Sequence, residues 1–284
     1  MKRTTYIIVG MLLAGLVALC GGIIYVSTQT TGWNDTFMNV KGEKKTVQLP
    51  ACKVVQLVAD RDVIATSKDG AIKEIRTVAF DNVPLTICPV ESGSSAFTYA
   101  ADMGKYMEVS SVGDTLRIVF NFSKDKLEKK YRDMRLLVIV SEGMTLSLPA
   151  NVVERFTSNL TNQQVTFKNL DCDTLSFAVE NRATVENCRF RSLYVIHGDL
   201  KLESGRADNL HLLLDEIKFW NVNTEAFHID TEYLYGHGNP RCTLAKDECN
   251  QVVWMPQSEG ASLGITLREA ARIVVENDSC QNKD

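Results

Sequence analysis

The side chains most able to take part in chemistry are four histidines and eight cysteines. Successive segments in the second half of the chain align with one another, and the alignment makes Tyr194, His211 and His228 equivalent. Equivalent outward residues of stacked strands lie about 4.8 Å apart. The three rings are therefore predicted to form a surface column that could stack against a glycan or a peptide. An exposed ladder without a ligand is the simpler alternative, and two histidines are weak grounds for a metal site.

The cysteines favour neither a zinc site nor a cofactor. No C-x-x-C pair occurs and no histidine stands at zinc-finger spacing, so neither a metal nor a cofactor is expected. Cys242 and Cys249 close a short loop beside Gly236, Gly238 and Pro240, which predicts a disulfide between them. The alternative is that several cysteines are small, buried apolar residues.

Motifs for catalysis are missing from the sequence. It contains no phosphate-binding glycine loop, nucleophile elbow or zincin helix. A polysaccharide-active enzyme on stacked strands would need carboxylates clustered on one outer face. The segment alignment makes Lys201 and Lys218 equivalent, but it brings no aspartate column with them. A protein without enzymatic activity is therefore predicted, with a polysaccharide-active enzyme as the less favoured alternative.

A repeat between about 152 and 235 must position these residues. Its segments alternate apolar and polar residues, and they begin at steps of 19, 18, 17 and 17 residues, at Phe156, Leu175, Leu193, Leu210 and Phe227. A period of two within segments and a short, steady step between them are typical of stacked parallel strands. The sequence predicts an all-β fold, a right-handed parallel β-solenoid with rungs of 17–19 residues. An antiparallel sandwich is the alternative.

Strand-like alternation continues, less regularly, through the first half of the chain. The predicted organisation is a cytoplasmic stub at 1–5, a transmembrane helix at 6–26, a tether at 27–45, a first β region with irregular rungs at 46–150, and solenoid rungs at 151–284 with an excursion at 236–261.

The transmembrane helix is predicted from Tyr6–Val26, which is 21 residues without a charge. Such a helix would span about 30 Å of hydrocarbon. Lys2 and Arg3 precede it, which places the N-terminus in the cytoplasm and the bulk of the chain in the periplasm, on a single-pass inner-membrane protein. Cleavage as a signal peptide and lipidation at Cys20 are the alternatives.

The charge balance argues against a nucleic-acid partner. The net charge is −4 for the whole chain, and about −6 once Lys2 and Arg3 are set aside. Proteins that grip phosphate backbones need basic surfaces.

Two stretches resemble a known family. Val83–Phe120, which includes Gly113-Asp114-Thr115-Leu116, is similar to the opening of autotransporter-adhesin head (GIN) domains of Bacteroidetes envelope proteins. Leu136–Phe156 resembles the strand-then-proline entry into that family's repeats. The resemblance covers roughly 80–235. It implies parallel β-solenoid rungs and an adhesin-like role, and it implies no catalytic residues.

These observations together predict a membrane-anchored, exported β-solenoid with a structural, adhesive or binding role in the bacterial cell envelope. Its predicted partners are the inner membrane, through residues 6–26, and an envelope protein or a glycan. An envelope sensor or accessory subunit that acts through small residues of its anchor is the alternative.

Overall fold

The computed structural model describes residues 11, 13–22, 33–60, 62–66, 72–81, 83–90, 94–149 and 152–268. Helix occurs at Met11 and 13–22, and short 3-10 helices span Trp33–Thr36, Ala101–Tyr106 and Lys129–Tyr131. The strands are β1 Phe37–Asn39, β2 Lys44–Gln48, β3 Val54–Ala59, β4 Asp62–Thr66, β5 Ile72–Ala79, β6 Leu85–Pro89, β7 Ala96–Ala100, β8 Met107–Val112, β9 Thr115–Phe120, β10 Leu136–Val140, β11 Met144–Leu148, β12 Arg155–Ser158, β13 Gln164–Lys168, β14 Asp171–Glu186, β15 Cys188–Leu202, β16 Gly205–Leu213, β17 Trp220–Val222, β18 Phe227–Gly236, β19 Arg241–Leu244, β20 Gln251–Pro256 and β21 Gly264–Leu267. The predicted all-β class is confirmed.

Most of these strands belong to one large sheet that runs through both halves of the chain. β3 pairs in parallel with β9 and β12, and β6 pairs in parallel with β11 and β13. β12 and β13 in turn pair with β14, so the sheet continues past residue 150, where the sequence predicted the first β region to end. Smaller sheets are formed by β1-β10-β5-β4 and by β19-β21.

From β14 onward, long parallel strands stack in register. β14 pairs with β15, β15 with β16, β16 with β18, and β18 with β20. Leu175, Leu193 and Leu210 are paired positions and are fully buried, as the repeat predicted. They form an apolar ladder because each strand has a buried face, and the strands paired with it contribute the apolar side chains that pack there. β20 continues the stack although it lies within the predicted excursion at 236–261.

The regular step breaks after Leu210. Leu210 pairs with Glu232, 22 residues on, whereas Leu193 pairs with Leu210 after 17. The extra residues lie between Leu213 and Phe227, where β17 turns away to pair with β15. Phe227 therefore pairs with Gly205, and its predicted equivalence to Leu210 is wrong. An insertion before a strand shifts its register, so that different residues of the strand pair with the neighbouring strand. Because side chains alternate between faces, the shift also decides which residues are buried.

The structure of the N-terminal segment differs from the predicted membrane anchor. Within the part of the chain that the structure describes, no helix is long and apolar enough to cross a membrane. The predicted transmembrane helix over 6–26 and the predicted single-pass inner-membrane localisation are therefore wrong. Residues 6–10, 12 and 23–26 of that segment lie outside the described residues.

The predicted tether over 27–45 also contains ordered structure. β1 lies within it and pairs in parallel with β10 through Phe37 and Val138. Met38 is 4% exposed and joins the common core. Val40, 2% exposed, is buried as well, although the polar composition of the segment predicts a tether.

Asparagines form one corner of the stack. Asn169 and Asn187 both have a positive φ, 57° and 52°, and the Asn187 side-chain amide donates to Asn169 Oδ1 at 2.8 Å. The Asn187 backbone N–H donates to Ser204 Oγ at 2.8 Å. Asparagine tolerates this left-handed conformation better than other residues with a side chain, apart from aspartate. The corner therefore joins three successive rungs through side chains.

Asn187→Ala is expected to lower the free energy of unfolding by about 1–2 kcal/mol, because it loses the amide hydrogen bond and strains the left-handed backbone. Asn187→Gly, which keeps the backbone freedom but not the hydrogen bond, should lose less. Urea denaturation of both variants measures the difference. Equal midpoints for Asn187→Ala and the unmodified chain would show that the corner contributes nothing.

Candidate functional site

An aromatic column stands on the outer surface of β15, β16 and β18. We use this name for Tyr194, His211 and Tyr233, which are paired positions on the three strands. The Tyr194 and His211 rings stack with centroids 4.0 Å apart and planes 7° apart, and His211 and Tyr233 follow at 4.7 Å and 11°. In-register pairing sets this spacing, since neighbouring strands lie about 4.8 Å apart.

Tyr235 fixes the central ring of the aromatic column. Its hydroxyl lies 2.9 Å from His211 Nδ1, and the two rings are 5.9 Å apart. Partial burial lowers the pKa of His211 below its ordinary value of 6.5, so the ring is neutral at neutral pH. Burial also raises the pKa of Tyr235, which keeps its hydroxyl protonated. The column is thus an uncharged stacked surface with hydroxyls along its edge.

The Tyr194 end of the column is open. One face of the ring is covered by His211, whereas the residue paired with Tyr194 on the other side, on β14, is Ser176. A serine side chain is too short to cover a phenol ring. Tyr194 is accordingly 37% exposed. The free face of this ring is the part of the column that a ligand can stack on.

The structure brings two of the three predicted residues together and separates the third. Tyr194 and His211 stack, but His228 pairs with Arg206 and lies outside the column. The insertion before β18 is the reason, because it moves Tyr233 opposite His211. The alternation in Phe227–Gly236 already places Tyr233 and Tyr235 on one face, and this signal was available in the sequence.

A second outer face, formed by the first residues of the same strands, is charged. Asp171, Arg189, Arg206 and His228 are paired positions, and a neighbouring row contains Asp173, Arg191, Asp208 and Asp230. Six of these residues, all except His228 and Asp230, line a groove of about 1040 Å³, and Val153 and Glu154 also line it. The sequence alignment predicted no aspartate column, because it matched β16 and β18 with the wrong register.

The adjacent carboxylates of Asp208 and Asp230 are both engaged by one arginine. Arg206 donates through Nε to Asp208 Oδ1 at 2.8 Å and through Nη2 to Asp230 Oδ2 at 2.5 Å. Asn250 Nδ2 donates to the other oxygen of Asp230 at 3.3 Å. Both carboxylates are thus occupied by hydrogen bonds within the protein.

Cys242 and Cys249 are both free thiols, so the predicted disulfide is absent from the structure. Both lie near buried carboxyl groups instead: burial and the charges of Glu232 and Glu248 raise the pKa of Cys242 to about 11. The same influences raise the pKa of Cys249 still further. Protonated thiols of this kind are poor nucleophiles and behave as buried apolar groups.

Glu232 is the most unusual polar residue of the stack. It is 0% exposed and occupies the ladder position after Leu210, and neither carboxylate oxygen has a hydrogen-bond partner among the described residues. Burial is the largest cause that raises the pKa of Glu232, and the charge of Glu248 is the second. The Cys249 thiol lowers this pKa, and the result is a value of about 8. Glu248 is itself buried, but Trp220 Nε1 and the Ala245 N–H donate to it.

Within the part of the chain that the structure describes, no three histidine, cysteine or acidic side chains are grouped so as to hold a metal ion. The aromatic column and the charged groove are outer surfaces that present exposed rings and charged groups to a ligand.

No family model and no curated protein matches the chain. Among solved structures, a candidate adhesin from Bacteroides fragilis is 13% identical, with 81% of this chain and 96% of that chain covered and a TM-score of 0.43. A candidate lipid-binding protein and a candidate adhesin, both from Parabacteroides distasonis, are each 8% identical. They cover 81% and 82% of this chain and 96% and 97% of their own, with TM-scores of 0.37 and 0.36.

Proposed function

We propose that this protein is a parallel β-solenoid with an adhesive or binding role, and that its aromatic column binds a glycan. The solenoid is supported by the in-register parallel pairing of β14, β15, β16, β18 and β20. The resemblance of residues 80–235 to adhesin head domains agrees with such a role.

One observation carries the glycan proposal, namely the stacked rings that end in the open face of Tyr194. A pyranose ring presents a face of C–H groups, which is attracted to the negative face of an aromatic ring. A ring held in place by stacking loses little conformational entropy when a ligand binds. The hydroxyl groups of Tyr194, Tyr233 and Tyr235 add hydrogen-bonding groups at the edge of the same surface.

A binding role is favoured over polysaccharide cleavage by the contacts and the burial of three carboxyl groups of these strands, Asp208, Asp230 and Glu232. Asp208 and Asp230, the paired acidic positions of the outer face, are both held by Arg206. Glu232, whose pKa is raised to about 8, is suited to holding a proton but is completely buried. None of these three carboxyl groups is both exposed and free of contacts within the protein, as a group that cleaves a glycan at Tyr194 would need to be.

Tyr194→Ala is expected to weaken glycan binding about 5- to 30-fold, the usual loss when a central aromatic contact is removed. Tyr194→Phe keeps the ring and loses only the hydroxyl, so it should weaken binding less, by about two- to three-fold. The measurement is titration of the full chain with cellotetraose, maltotetraose and mannotetraose by isothermal calorimetry. Phe219→Ala is the matched control, because Phe219 is an exposed aromatic residue on the β16–β18 connection, outside the column.

The proposal fails if none of these saccharides binds, or if one binds with the same affinity to the Tyr194→Ala variant. Circular dichroism of each variant shows whether the fold is retained. The substituted side chain is partly exposed, so we expect the fold to be unchanged.

A further inference from the structure

We infer that the charged groove next to the aromatic column is a second subsite for the same ligand, and that it selects an uncharged, polyhydroxylated glycan. This inference rests on the proposed glycan-binding function and extends it to the substrate class. The groove is lined by the first residues of β14, β15 and β16 and by Val153 and Glu154.

The charges in the groove are mixed and nearly balanced. Its carboxylates come from Glu154, Asp171, Asp173 and Asp208, and its guanidinium groups come from Arg189, Arg191 and Arg206. An anionic ligand would meet the four carboxylates, and a cationic ligand would meet the three guanidinium groups. A ligand without net charge avoids both repulsions, so the groove discriminates against strongly charged molecules.

Asp171 and Arg189 are the groups available to such a ligand. They are exposed, paired positions on β14 and β15, and neither takes part in an ion pair among the described residues. By contrast, Arg191 contacts Asp173 at 3.4 Å, and Arg206 holds Asp208. A carboxylate only accepts hydrogen bonds and a guanidinium only donates them, whereas a hydroxyl does both. Neighbouring sugar hydroxyls can therefore satisfy Asp171 and Arg189 at once.

The groove and the open ring lie along the same strand. β14 contributes Asp171, Asp173 and Thr174 to the groove, and two residues further it contributes Ser176, which lies next to the free face of Tyr194. An extended saccharide that stacks on Tyr194 can therefore run along β14 and contact the groove as well. Aromatic stacking and hydrogen bonding to hydroxyls are then supplied by adjacent faces of one stack.

The test is calorimetric titration of the full chain with cellotetraose, maltotetraose and mannotetraose, and with tetragalacturonate as the charged counterpart. Arg189→Ala and Asp171→Ala should each weaken binding of the neutral saccharide about 5- to 20-fold, because each leaves hydroxyls without a partner. Raising the salt concentration from 0.05 to 0.5 M should change the affinity less than about two-fold, as expected for an uncharged ligand. Arg117→Ala, an exposed arginine on β9, is the matched control.

The outcomes separate this inference from the proposed function. If Tyr194→Ala weakens binding but Arg189→Ala and Asp171→Ala do not, the groove is not a subsite, although the glycan-binding function stands. If tetragalacturonate binds more tightly than the neutral saccharides, the inferred class of ligand is wrong. If no saccharide binds at all, both the inference and the proposed function are wrong.

Discussion

Glu232→Gln should remove a pH dependence of stability that the unmodified chain shows between about pH 4.5 and pH 8. Glu232 is fully buried in the ladder that begins with Leu175, Leu193 and Leu210, and its carboxylate has no hydrogen-bond partner among the described residues. Its pKa is raised from 4.5 to about 8, first by burial and then by the charge of Glu248. The folded protein therefore retains a proton that the unfolded chain releases.

The direction of the effect follows from proton linkage. Below about pH 4.5 the carboxyl is protonated in both states, so its protonation does not penalise folding. As the pH rises toward 8, the unfolded chain ionises first and the free energy of unfolding falls, by at most about 1.4 kcal/mol per pH unit. Above about pH 8 both states are ionised and the loss is complete. We expect a total loss of several kcal/mol, with about 5 kcal/mol as the upper bound.

Urea denaturation of the unmodified chain and of Glu232→Gln at pH 5, 7 and 9 measures this difference. The two chains should differ least at pH 5, and the variant should be the more stable one at pH 9. Glu259→Gln, at an exposed glutamate, controls for the loss of one carboxylate and should leave the pH dependence unchanged. Parallel stability curves for Glu232→Gln and the unmodified chain would show that Glu232 does not hold a proton in the folded state.

Glu232→Leu is expected to stabilise the protein at every pH above about 5, by roughly 1–4 kcal/mol at neutral pH. It restores the apolar residue type of the three preceding ladder positions and removes a carboxyl that burial penalises. The leucine would pack beside Cys249 and beside Val252, the residue paired with position 232 on β20. Urea denaturation of both chains at pH 7 measures the gain.

Gly205→Ala is expected to lower the free energy of unfolding by at least about 3 kcal/mol. Gly205 begins β16 with a φ of +130°, a conformation that residues with a side chain rarely adopt. A Cβ atom added there would lie 2.0 Å from the backbone oxygen of Cys188. Relief of this clash must move a strand, because the obstructing atom belongs to the backbone of β15.

Comparison of urea midpoints for Gly205→Ala and Gly238→Ala tests this expectation. Gly238 is the matched control, because a Cβ atom there meets nothing within 4 Å. Its substitution should change stability by less than about 0.5 kcal/mol. If the two variants have the same midpoint, the close approach of β15 and β16 at Gly205 does not limit stability.

Local alternation was sufficient to predict the class of the fold. Apolar residues at every second position predicted strands, and the near-constant step predicted that Leu175, Leu193 and Leu210 are equivalent. The same reasoning predicted that Tyr194 and His211 are neighbours. It succeeded there because β14, β15 and β16 follow one another at steps of 17 and 18 residues, without an inserted segment.

The first error came from assuming that the step continues. The connection between Leu213 and Phe227 contains extra residues, and nothing in its composition shows whether they extend a rung or fill a corner. Only the strand pairing decides this, and it replaces His228 with Tyr233 in the aromatic column. The sequence alignment also failed to place Asp208 beside Asp230, because it used the same wrong register between β16 and β18.

The sequence by itself determined that the chain is all-β, that its second half repeats, and that aromatic residues face outward on successive strands. These properties follow from the alternation of side chains along each strand, which is local. The tertiary structure alone decided which residues meet across strands, that Glu232 is buried beside Glu248, and that Cys242 and Cys249 stay unpaired. Such contacts depend on the register between strands, and a register is fixed by the length and path of every connection between them.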